Sequence, residues 1–482
     1  MYKVVIGLEI HVELNTLTKM FCGCENDPDE KEPNINVCPI CMGHPGTLPV
    51  ANEEAIKKVI KTGLALNCQI SEYSQFDRKN YFYPDLPKGY QISQLYHPFC
   101  KNGFLEINGK KIRIREIHLE EDTGKLIHSE NEDYSLVDFN RAGIPLMELA
   151  TEPDLRSAKE TRNFAEEFHL IMHYLNVSDA DMEKGQMRVE VNISLSKKEG
   201  ELGTKVEIKN LNSFRSVERA IEYEIKRQTE VLESGKKVIQ ETRGWDDIKG
   251  VTISQREKEF AQDYRYFPEP DLPPFHCSTE FIEKIRAEIP ELPQKRKERL
   301  VREYQLDEKS TEFFVYNKDL GEFFEKVVSE FESKLSKEKL SKLIKLATNY
   351  IITDLQGLLK GASVTTKDFL ITPENFAEFI TLIEEGKITS KIAKQVLSEM
   401  FSTGADPSHV VEEKGLVQIT NVAQIEKIIK EVISKNPKAV EDYKKGKETA
   451  LQFLIGQVMA KTQGKANPEI VRENLIKILT NK

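Results

Sequence analysis

The sequence has few of the features that place a protein in a membrane or outside the cell. No apolar run among its 482 residues approaches the ~20 residues that a membrane-spanning helix needs. The first residues lead directly into a strand pattern and not into the apolar segment of a signal peptide. Seven cysteines, an odd number, argue against a disulfide framework. We therefore expect a cytoplasmic protein with no membrane partner.

Familiar motifs of nucleotide and hydrolase chemistry are also missing. The sequence has no Gly-x-x-x-x-Gly-Lys-Ser/Thr phosphate loop, no protein-kinase motif set and no Gly-x-Ser-x-Gly nucleophile turn. A nucleotide, if this protein binds one, must therefore be held by carboxylates on strands, acting through Mg²⁺ together with lysines. Mg²⁺ prefers such hard oxygen ligands in combination with phosphate.

The length exceeds what one hydrophobic core normally serves, so we expect two or three domains. Residues 1–293 mix strand patterns with amphipathic helices in no strict alternation, which predicts an α+β cradle domain on a large, mainly antiparallel sheet. No strand pattern persists after the proline-rich stretch that ends at Pro293. Residues 294–406 therefore predict an all-α helical domain, and residues 407–482 a small α-helical tail.

Charge is unevenly distributed along the chain. The formal net charge is −10, yet residues 407–482 contain 13 Lys and Arg against 9 Asp and Glu. An acidic body with a basic tail is expected when only one module contacts nucleic acid. A mildly basic helical segment also arises by chance, so the asymmetry alone leaves both interpretations open.

The first predicted strand, residues 4–14, separates apolar from ionisable side chains. Six apolar residues occupy one face, and Glu9, His11 and Glu13 occupy the other. Because a slip of one residue would bury the charges, the apolar face fixes the position of the ionisable row. Similar patterns recur at residues 111–122, 187–195 and 204–210. These rows indicate either a functional site or the solvated face of an antiparallel sheet.

Four cysteines form the clearest metal signal. Cys22-Gly23-Cys24 is followed, after thirteen residues, by Cys38-Pro39-Ile40-Cys41. Two close pairs of thiolates on turn-rich backbone can surround one tetrahedral Zn²⁺, and a closed set of four leaves no position for catalysis. We therefore predict a structural zinc site, in preference to four reduced surface cysteines.

A loop-like segment, residues 76–94, mixes cations, aromatic rings, amides and prolines. Such donors suit contacts with phosphates or bases. The other interpretation is a surface loop packed by its own tyrosines. We favour a functional role because Lys79 and Lys88 would neutralise an otherwise acidic neighbourhood.

Six motifs together resemble one family, the B subunits of the aspartyl/glutamyl-tRNA amidotransferases. The motifs, in chain order, are Leu8-Glu9-Ile10-His11-Val12-Glu13-Leu14, Asp77-Arg78-Lys79-Asn80-Tyr81-Phe82-Tyr83-Pro84-Asp85, His118-Leu119-Glu120-Glu121-Asp122-Thr123-Gly124-Lys125, Asp138-Phe139-Asn140-Arg141-Ala142-Gly143, Lys209-Asn210-Leu211-Asn212-Ser213-Phe214 and Asp263-Tyr264-Arg265-Tyr266-Phe267-Pro268-Glu269-Pro270-Asp271. The resemblance extends over the whole chain, and the tail is similar to the family's tRNA-binding domain.

The resemblance implies an ATP- and Mg²⁺-dependent enzyme subunit. Family members phosphorylate the side-chain carboxylate of mischarged Glu-tRNA(Gln) or Asp-tRNA(Asn) and displace the phosphate with ammonia. The ammonia comes through a tunnel from a separate glutaminase, the A subunit, and a small C subunit braces the two. A non-catalytic, zinc-containing tRNA-binding scaffold is the alternative, although a scaffold gains nothing from carboxylates clustered near phosphate.

The resemblance also assigns roles to individual residues. The expected catalytic residues are Glu9, His11, Glu121, Lys79 and Lys88. The expected magnesium ligands are Glu9, His11, Glu120, Glu121, Glu190 and Glu207. The expected cofactor-binding residues are Lys79, Lys88, Lys205, Glu207 and Asn210, with the two lysines 79 and 88 meeting phosphate or lining the tunnel mouth. The zinc ligands, Cys22, Cys24, Cys38 and Cys41, rest on the spacing in this sequence, because the family does not share them throughout.

Overall fold

The structure is a computed structural model that describes residues 2–27, 29–128, 133–198, 201–257, 263–331, 335–419 and 421–480. The chain forms two compact units, Met1–Pro293 and Gln294–Lys482. The first unit is a large sheet with helices and the second is helical, so the predicted α+β architecture is confirmed. The finer division of the second unit at residue 406 stays a prediction.

The first unit contains the strands. They are β1 Lys3–Glu13, β2 Gln69–Ile70, β3 Tyr73–Ser74, β4 Asp77–Asn80, β5 Tyr90–Ser93, β6 Cys100–Ile107, β7 Lys110–Glu121, β8 Lys125–His128, β9 Ser135–Asp138, β10 Pro145–Thr151, β11 Met187–Ser196, β12 Val206–Leu211, β13 Glu241–Asp246, β14 Val251–Glu257, β15 Phe267–Pro268 and β16 Phe275–His276.

Nine of these strands form the main sheet, in the order β14-β13-β12-β11-β1-β10-β7-β6-β2. Neighbouring strands run antiparallel except β12 and β13, which pair in parallel. The first strand of the sequence therefore lies at the centre of the sheet, between β10 and β11. This position brings side chains that are far apart in the sequence next to the polar row of β1.

The alternation of side chains fixes which face of the sheet is buried. Ile6, Leu8, Ile10 and Val12 of β1 are completely or almost completely buried, and the residues between them point to the opposite face. A one-residue slip would exchange the two sets, so burial of the apolar row sets the register. The polar row is thereby held in place by the core on the other side.

Three helices pack with this apolar face: α1 Glu53–Ala65, α2 Ala158–Leu175 and α3 Phe214–Glu233. Each begins at a residue whose side chain accepts hydrogen bonds from backbone N–H groups of the first turn, Asn52, Ser157 and Ser213. Apolar residues spaced three or four apart give each helix one buried face. The helices therefore cover the apolar face of the sheet and leave its polar face for other contacts.

The remaining helices are α4 Thr279–Ala287, α5 Pro293–Tyr304, α6 Glu308–Tyr316, α7 Lys318–Ser329, α8 Lys337–Tyr350, α9 Gln356–Leu359, α10 Pro373–Glu384, α11 Ser390–Thr403, α12 Pro407–Glu413, α13 Val422–Lys435, α14 Pro437–Lys444, α15 Glu448–Lys461 and α16 Pro468–Thr480. A π-helical segment, Ile351–Leu355, joins α8 to α9.

Helices α13, α15 and α16 enclose an apolar core of their own, with Ile425, Leu454 and Leu475 fully buried. In the described part of the chain, no helix has the length and apolar character required to cross a membrane.

Candidate functional site

Strand pairing collects ionisable side chains on the polar face of the main sheet. His11 of β1 lies opposite Glu148 of β10, and Glu148 lies opposite His118 of β7. On the other side of β1, Glu9 lies opposite Glu190 of β11. Directly opposed residues of antiparallel strands point to the same face and lie within contact distance. Two neighbouring rows, one with His118, Glu148 and His11 and the other with Glu9 and Glu190, therefore cross the centre of the sheet.

The first cluster on this face consists of His11, Glu120 and Glu148, whose ligand atoms all lie within 4.8 Å of one another. The Nε2 atom of His11 is 3.3 Å from Glu148 Oε2 and 3.9 Å from Glu120 Oε1. His118 Nε2 lies 3.3 Å from the same Glu148 oxygen. The hydroxyl of Ser93 donates to Glu120 at 2.9 Å and fixes that carboxylate from the side.

Charge and burial act against each other in this cluster. Burial disfavours the charged imidazolium of His118, but the carboxylates of Glu148 and Glu120 outweigh it and raise its pKa to about 10. The pKa of His11 is raised in the same way, against burial, chiefly by Glu148. The pKa of Glu148 lies well below its usual range because two histidines, at positions 118 and 11, overcome the cost of its burial. The Glu148 carboxylate is therefore ionised, and its negative charge lies between the two imidazoles.

The second cluster consists of Glu9, Glu190 and Glu207, again within 4.8 Å of one another. Burial and three neighbouring carboxylates, those of Glu148, Glu190 and Glu207, raise the pKa of Glu9. Lys209 reaches Glu190 at 2.7 Å and Glu207 at 3.1 Å, so it offsets part of the negative charge. Glu9 and His11 are two residues apart on one strand, so their Cα atoms lie about 7 Å apart. The first cluster extends from β1 towards β10 and β7, and the second towards β11 and β12.

Both clusters fit a divalent cation with oxygen ligands. The donors are carboxylates with one imidazole in the first cluster and carboxylates alone in the second, which matches the preference of Mg²⁺. The buried Oδ1 atom of Asn192 has no hydrogen-bond partner, although its Nδ2 donates to Glu9 at 3.0 Å. The buried Nδ1 atom of His118 is also without a partner. Buried polar atoms without a partner are expected where a water molecule or a hydrated ion binds.

The predicted cofactor-binding residues lie in different places. The Lys79 ammonium is half-buried, and the carboxylates of Glu120 and Glu148 raise its pKa despite burial. Lys205 is exposed and lines a cavity of about 210 Å³ together with Glu9. Asn210 turns away from both clusters, because its Nδ2 donates to the carbonyl of Trp245 at 2.9 Å. Of the predicted cofactor-binding residues, Lys79 and Lys205 are thus the lysines that lie beside the clusters and could meet phosphate.

Glu121 does not join the His11 cluster, because successive residues of a strand point to opposite faces. Its Oε1 atom accepts from the Lys88 ammonium and, at 2.9 Å, from the backbone N–H of Ile92. Glu121 and Lys88 line a cavity of about 210 Å³ that also touches Cys22 and Cys41. The structure therefore brings five of the six expected magnesium ligands to the polar face and separates Glu121 from them.

The four predicted zinc ligands converge. The Sγ atoms of Cys22, Cys24, Cys38 and Cys41 lie within 4.8 Å of one another, and those of Cys38 and Cys41 are 3.9 Å apart. Two Zn–S bonds of about 2.3 Å at the tetrahedral angle put sulfurs about 3.8 Å apart. A hydrogen bond from Cys22 is the main reason that the pKa of the Cys41 thiol is lowered to about 5. The donor set and spacing therefore fit Zn²⁺.

The segment that carries the cysteines packs against Lys88. A Cβ atom added to Gly43, which has φ +68°, would lie 2.6 Å from Lys88 Cγ and 3.1 Å from Lys88 Cα. Only a glycine fits at this approach. The metal-binding segment therefore helps to hold the Lys88 side chain in its ion pair with Glu121.

Substituting Gly43 tests this packing. Gly43→Ala is expected to lose about 1–2 kcal/mol from the left-handed backbone and a further ~1–3 kcal/mol from the collision with Lys88. Gly46→Ala is the matched control, because Gly46 has φ +85° but an added Cβ would have no neighbour within 4 Å. Denaturant unfolding of both variants measures the difference. Equal losses would mean that the segment does not press on Lys88.

Two members of the site, Glu148 and His118, are absent from the residues predicted on the sequence. Glu148 is the one charged residue in β10, Pro145–Thr151, and both faces of that strand are largely buried. A lone acid in an apolar strand is a signal that could have found it, because burying an unpaired carboxylate is costly. His118 shares a face with Glu120 by simple alternation, and that pattern also points to the cluster.

The fold and the site together define an α+β protein with two carboxylate clusters on the polar face of its main sheet and a separate four-cysteine centre. Comparison with known proteins agrees with this class. The GatB/GatE catalytic domain matches residues 4–283, and the GatB domain matches residues 322–479.

Relatives match over nearly the whole chain, and they are named as the B subunit of an aspartyl/glutamyl-tRNA(Asn/Gln) amidotransferase. The relative in Thermotoga maritima is 50% identical over 99% of both chains, and the one in Caldicellulosiruptor saccharolyticus is 52% identical over 98% of both. The one from Thermoanaerobacter sp. is 48% identical over 98% of both chains. This chain therefore belongs to the GatB family, and the resemblance of its motifs is confirmed.

Proposed function

We propose that this chain is the subunit of a tRNA-dependent amidotransferase that activates the side-chain carboxylate of Glu-tRNA(Gln), Asp-tRNA(Asn) or both. ATP would supply the phosphoryl group. The carboxylate oxygen of the aminoacyl group attacks the γ-phosphorus, ADP leaves, and an acyl phosphate forms. Ammonia then attacks the acyl carbon, phosphate leaves, and the amide of Gln-tRNA(Gln) or Asn-tRNA(Asn) remains.

The observation that carries this proposal is the pair of carboxylate clusters beside lysines on one rigid sheet face. Phosphoryl transfer to a substrate carboxylate needs no protein nucleophile. It needs alignment and neutralisation of charge, which cations and positively charged side chains provide. His11, Glu120 and Glu148 would hold one Mg²⁺, and Glu9, Glu190 and Glu207 a second. When bound, Mg²⁺ would neutralise charge on the phosphates of ATP.

The chain's own residues divide the remaining work. Lys79 lies beside Glu120 and Glu148, where its charge can meet a phosphoryl oxygen. Lys205 and Glu9 line the cavity next to the second cluster, which suits the rest of the nucleotide. Asn192 donates to Glu9 and orients that carboxylate. Each of these groups lies on or beside a strand, so the site is largely organised before substrate binds.

Lys88 and Glu121 suit the delivery of ammonia. They form a buried ion pair beside a cavity on the other side of β7, away from the clusters. The Lys88 ammonium can donate a hydrogen bond to passing ammonia, and the Glu121 carboxylate can accept one from it. We propose that the cavity belongs to the path from a glutaminase, the family's A subunit, with the small C subunit completing a heterotrimer. Such an enzyme of protein synthesis would act in the cytoplasm.

The alternative function is a zinc-containing, non-catalytic scaffold for tRNA. The two candidates predict different effects of Glu9→Gln in a complex reconstituted with the glutaminase and the small C subunit. For the enzyme, tRNA affinity is retained, whereas ATP hydrolysis dependent on Glu-tRNA(Gln) and formation of Gln-tRNA(Gln) fall at least about 100-fold. For the scaffold, neither rate depends on Glu9. Unchanged rates in Glu9→Gln would remove the carboxylate clusters from the proposal.

The tail would contribute to binding of tRNA through a basic cleft. A cavity of about 440 Å³ between α13, α14 and α15 is lined by Lys435, Lys438 and Lys447, by Asp442, which pairs with Lys447 at 3.0 Å, and by Phe453, which is 49% exposed. Lysines beside an exposed ring suit phosphates and a stacked base. The cleft is therefore the part of the tail that we expect to meet RNA.

Replacing the three lysines of this cleft with glutamine is expected to weaken binding of tRNA. The slope of log affinity against log salt is negative, and each lost phosphate contact reduces its magnitude by about 1. The slope of the triple variant should therefore be about 2–3 smaller in magnitude than that of the parent protein. A control triple variant changes three other exposed lysines, Lys309, Lys326 and Lys337, in the same unit. Filter binding at several salt concentrations measures both. Equal slopes for the two triple variants would exclude the cleft from tRNA recognition.

A further inference from the structure

Lys19 is completely buried, and it lies beside the four-cysteine centre. Its Nζ atom donates to the carbonyl oxygens of Asn36 at 2.7 Å and Phe139 at 3.2 Å. The Cys41 Sγ atom lies 4.0 Å from the same nitrogen. A buried ammonium is very costly unless it is paired. The environment of Lys19 must therefore contain a negative charge.

No carboxylate supplies that charge among the residues that the structure describes. The ion pairs described in the first unit involve other cations, and the neutral carbonyls of Asn36 and Phe139 offer only dipoles. The Glu121 carboxylate lies near the stem of Lys19, across Gly143, but it is paired with Lys88. Among the described residues, the Cys41 sulfur is the potential anion that contacts the Lys19 ammonium. Four thiolates around one Zn²⁺ carry a net charge of −2, since each thiolate contributes −1. Burial of Lys19 is thus explained when the centre is loaded.

We propose that Lys19 is the counter-cation of the four-thiolate metal centre and fastens that centre to the segment at residues 138–143. This inference rests on the proposed zinc site and adds a positioning residue to it. Acceptors from two segments meet at one ammonium: the Asn36 carbonyl and the Cys41 sulfur of the cysteine segment, and the Phe139 carbonyl of the neighbouring segment.

Other contacts join the same two segments. The backbone N–H of Asn36 donates to Asn140 Oδ1 at 2.9 Å, and Met20 N–H donates to the carbonyl of Gly143 at 2.7 Å. These contacts are neutral and do not distinguish a loaded centre from an empty one. Lys19 does distinguish them, because its charge is favourable beside metal-bound thiolates and unfavourable beside four neutral thiols.

Replacing Lys19 is expected to have different effects on the zinc-loaded and the zinc-free protein. Lys19→Met removes the charge and keeps most of the side-chain volume. In the zinc-loaded protein it is expected to lower zinc affinity about 10- to 100-fold, the range found when partners of metal ligands are removed. In the zinc-free protein the same change is expected to leave stability unchanged or raise it, because an unpaired buried ammonium disappears. Competition with a chromophoric chelator and denaturant unfolding with and without zinc measure the two effects.

A second readout addresses the sulfur directly. An ammonium near a thiolate withdraws electron density and lowers its nucleophilicity. Iodoacetamide is therefore expected to alkylate Cys41 several-fold faster in zinc-loaded Lys19→Met than in the parent protein, as measured by mass spectrometry. With Co²⁺ in place of zinc, the sulfur-to-cobalt charge-transfer band should move to lower energy. A role in packing alone moves neither quantity.

Lys58→Met is the matched control, because Lys58 is also largely buried and bonds to the Asn15 carbonyl at 3.1 Å, but it does not contact sulfur. Lys19→Gln serves if Lys19→Met does not fold, and the same zinc-release and alkylation measurements apply. The inference is overturned if the Lys19 variant has the same zinc affinity and the same alkylation rate as the Lys58 control. A parent protein that binds no zinc would instead refute the zinc site itself.

Discussion

Glu148→Gln is expected to reduce ATP-dependent amidation by at least about 100-fold while the protein stays folded. Glu148 is the carboxylate of the first cluster that lies nearer to both His11 and His118, at 3.3 Å each. Loss of its charge would remove a proposed metal ligand and the partner of two imidazoles at once. Outer partners of metal ligands alone are worth about 10- to 100-fold, so a ligand should be worth more. The rate of Gln-tRNA(Gln) formation by the reconstituted complex measures the effect.

Glu116→Gln is the matched control for this change. Glu116 lies on β7, two residues before His118, and the residue opposite it on β10 is Ala150. It is therefore not one of the residues that form the first cluster. We expect the control to keep most of its activity. If Glu148→Gln retains activity comparable to that of Glu116→Gln, the first cluster does not serve the reaction.

Cys38→Ser is expected to abolish zinc binding and to unfold the cysteine segment locally. Residues 22–27 and 29–50 contain no helix, and their one β-bridge residue, Glu25, pairs with Thr18, so the metal supplies most of the order of this segment. Loss of a structural metal is among the changes that cost more than about 4 kcal/mol. Hydrogen exchange should show loss of protection in residues 22–50, while β1 and β10 stay protected by the sheet.

Cys277→Ala provides the comparison, since Cys277 is buried in the core of the first unit and lies outside the four-cysteine centre. Like the parent protein, it is expected to bind one zinc per chain and to keep protection in the cysteine segment. Metal analysis of protein purified without chelator gives the stoichiometry. Zinc retained at parental affinity in Cys38→Ser would contradict the assignment of the ligands.

Much of the fold could be predicted because local patterns agree with the tertiary structure. The apolar row of residues 4–14 and the alternation at 187–195 correspond to β1, Lys3–Glu13, and β11, Met187–Ser196. Thr372 is the N-cap of α10 and Pro373 its first residue, an arrangement that local sequence alone favours at a helix start. The order of strands could not be predicted, since pairing between strands more than 130 residues apart leaves no local signal. That order places β10 beside β1.

The candidate site was predictable to the extent that alternation determines it. Glu9, His11, Glu120, Glu190 and Glu207 lie on the polar face, as their rows indicated. Glu148 was missed because its significance depends on the neighbouring strand, and Asn210 makes a backbone contact that no pattern indicates. The resemblance pointed to Glu121, whose side chain pairs with Lys88 in the structure, and its role as a magnesium ligand stays a prediction.

The central claim is that the polar face of the sheet binds divalent cations at its carboxylate clusters. Anomalous X-ray diffraction from crystals of the complex soaked in MnCl₂ tests it most directly, because Mn²⁺ substitutes for Mg²⁺ and scatters anomalously. We expect a peak bounded by His11, Glu120 and Glu148, and a second at Glu9, Glu190 and Glu207 when ATP is present. No peak at either cluster, or a peak only at Glu121, would contradict the account.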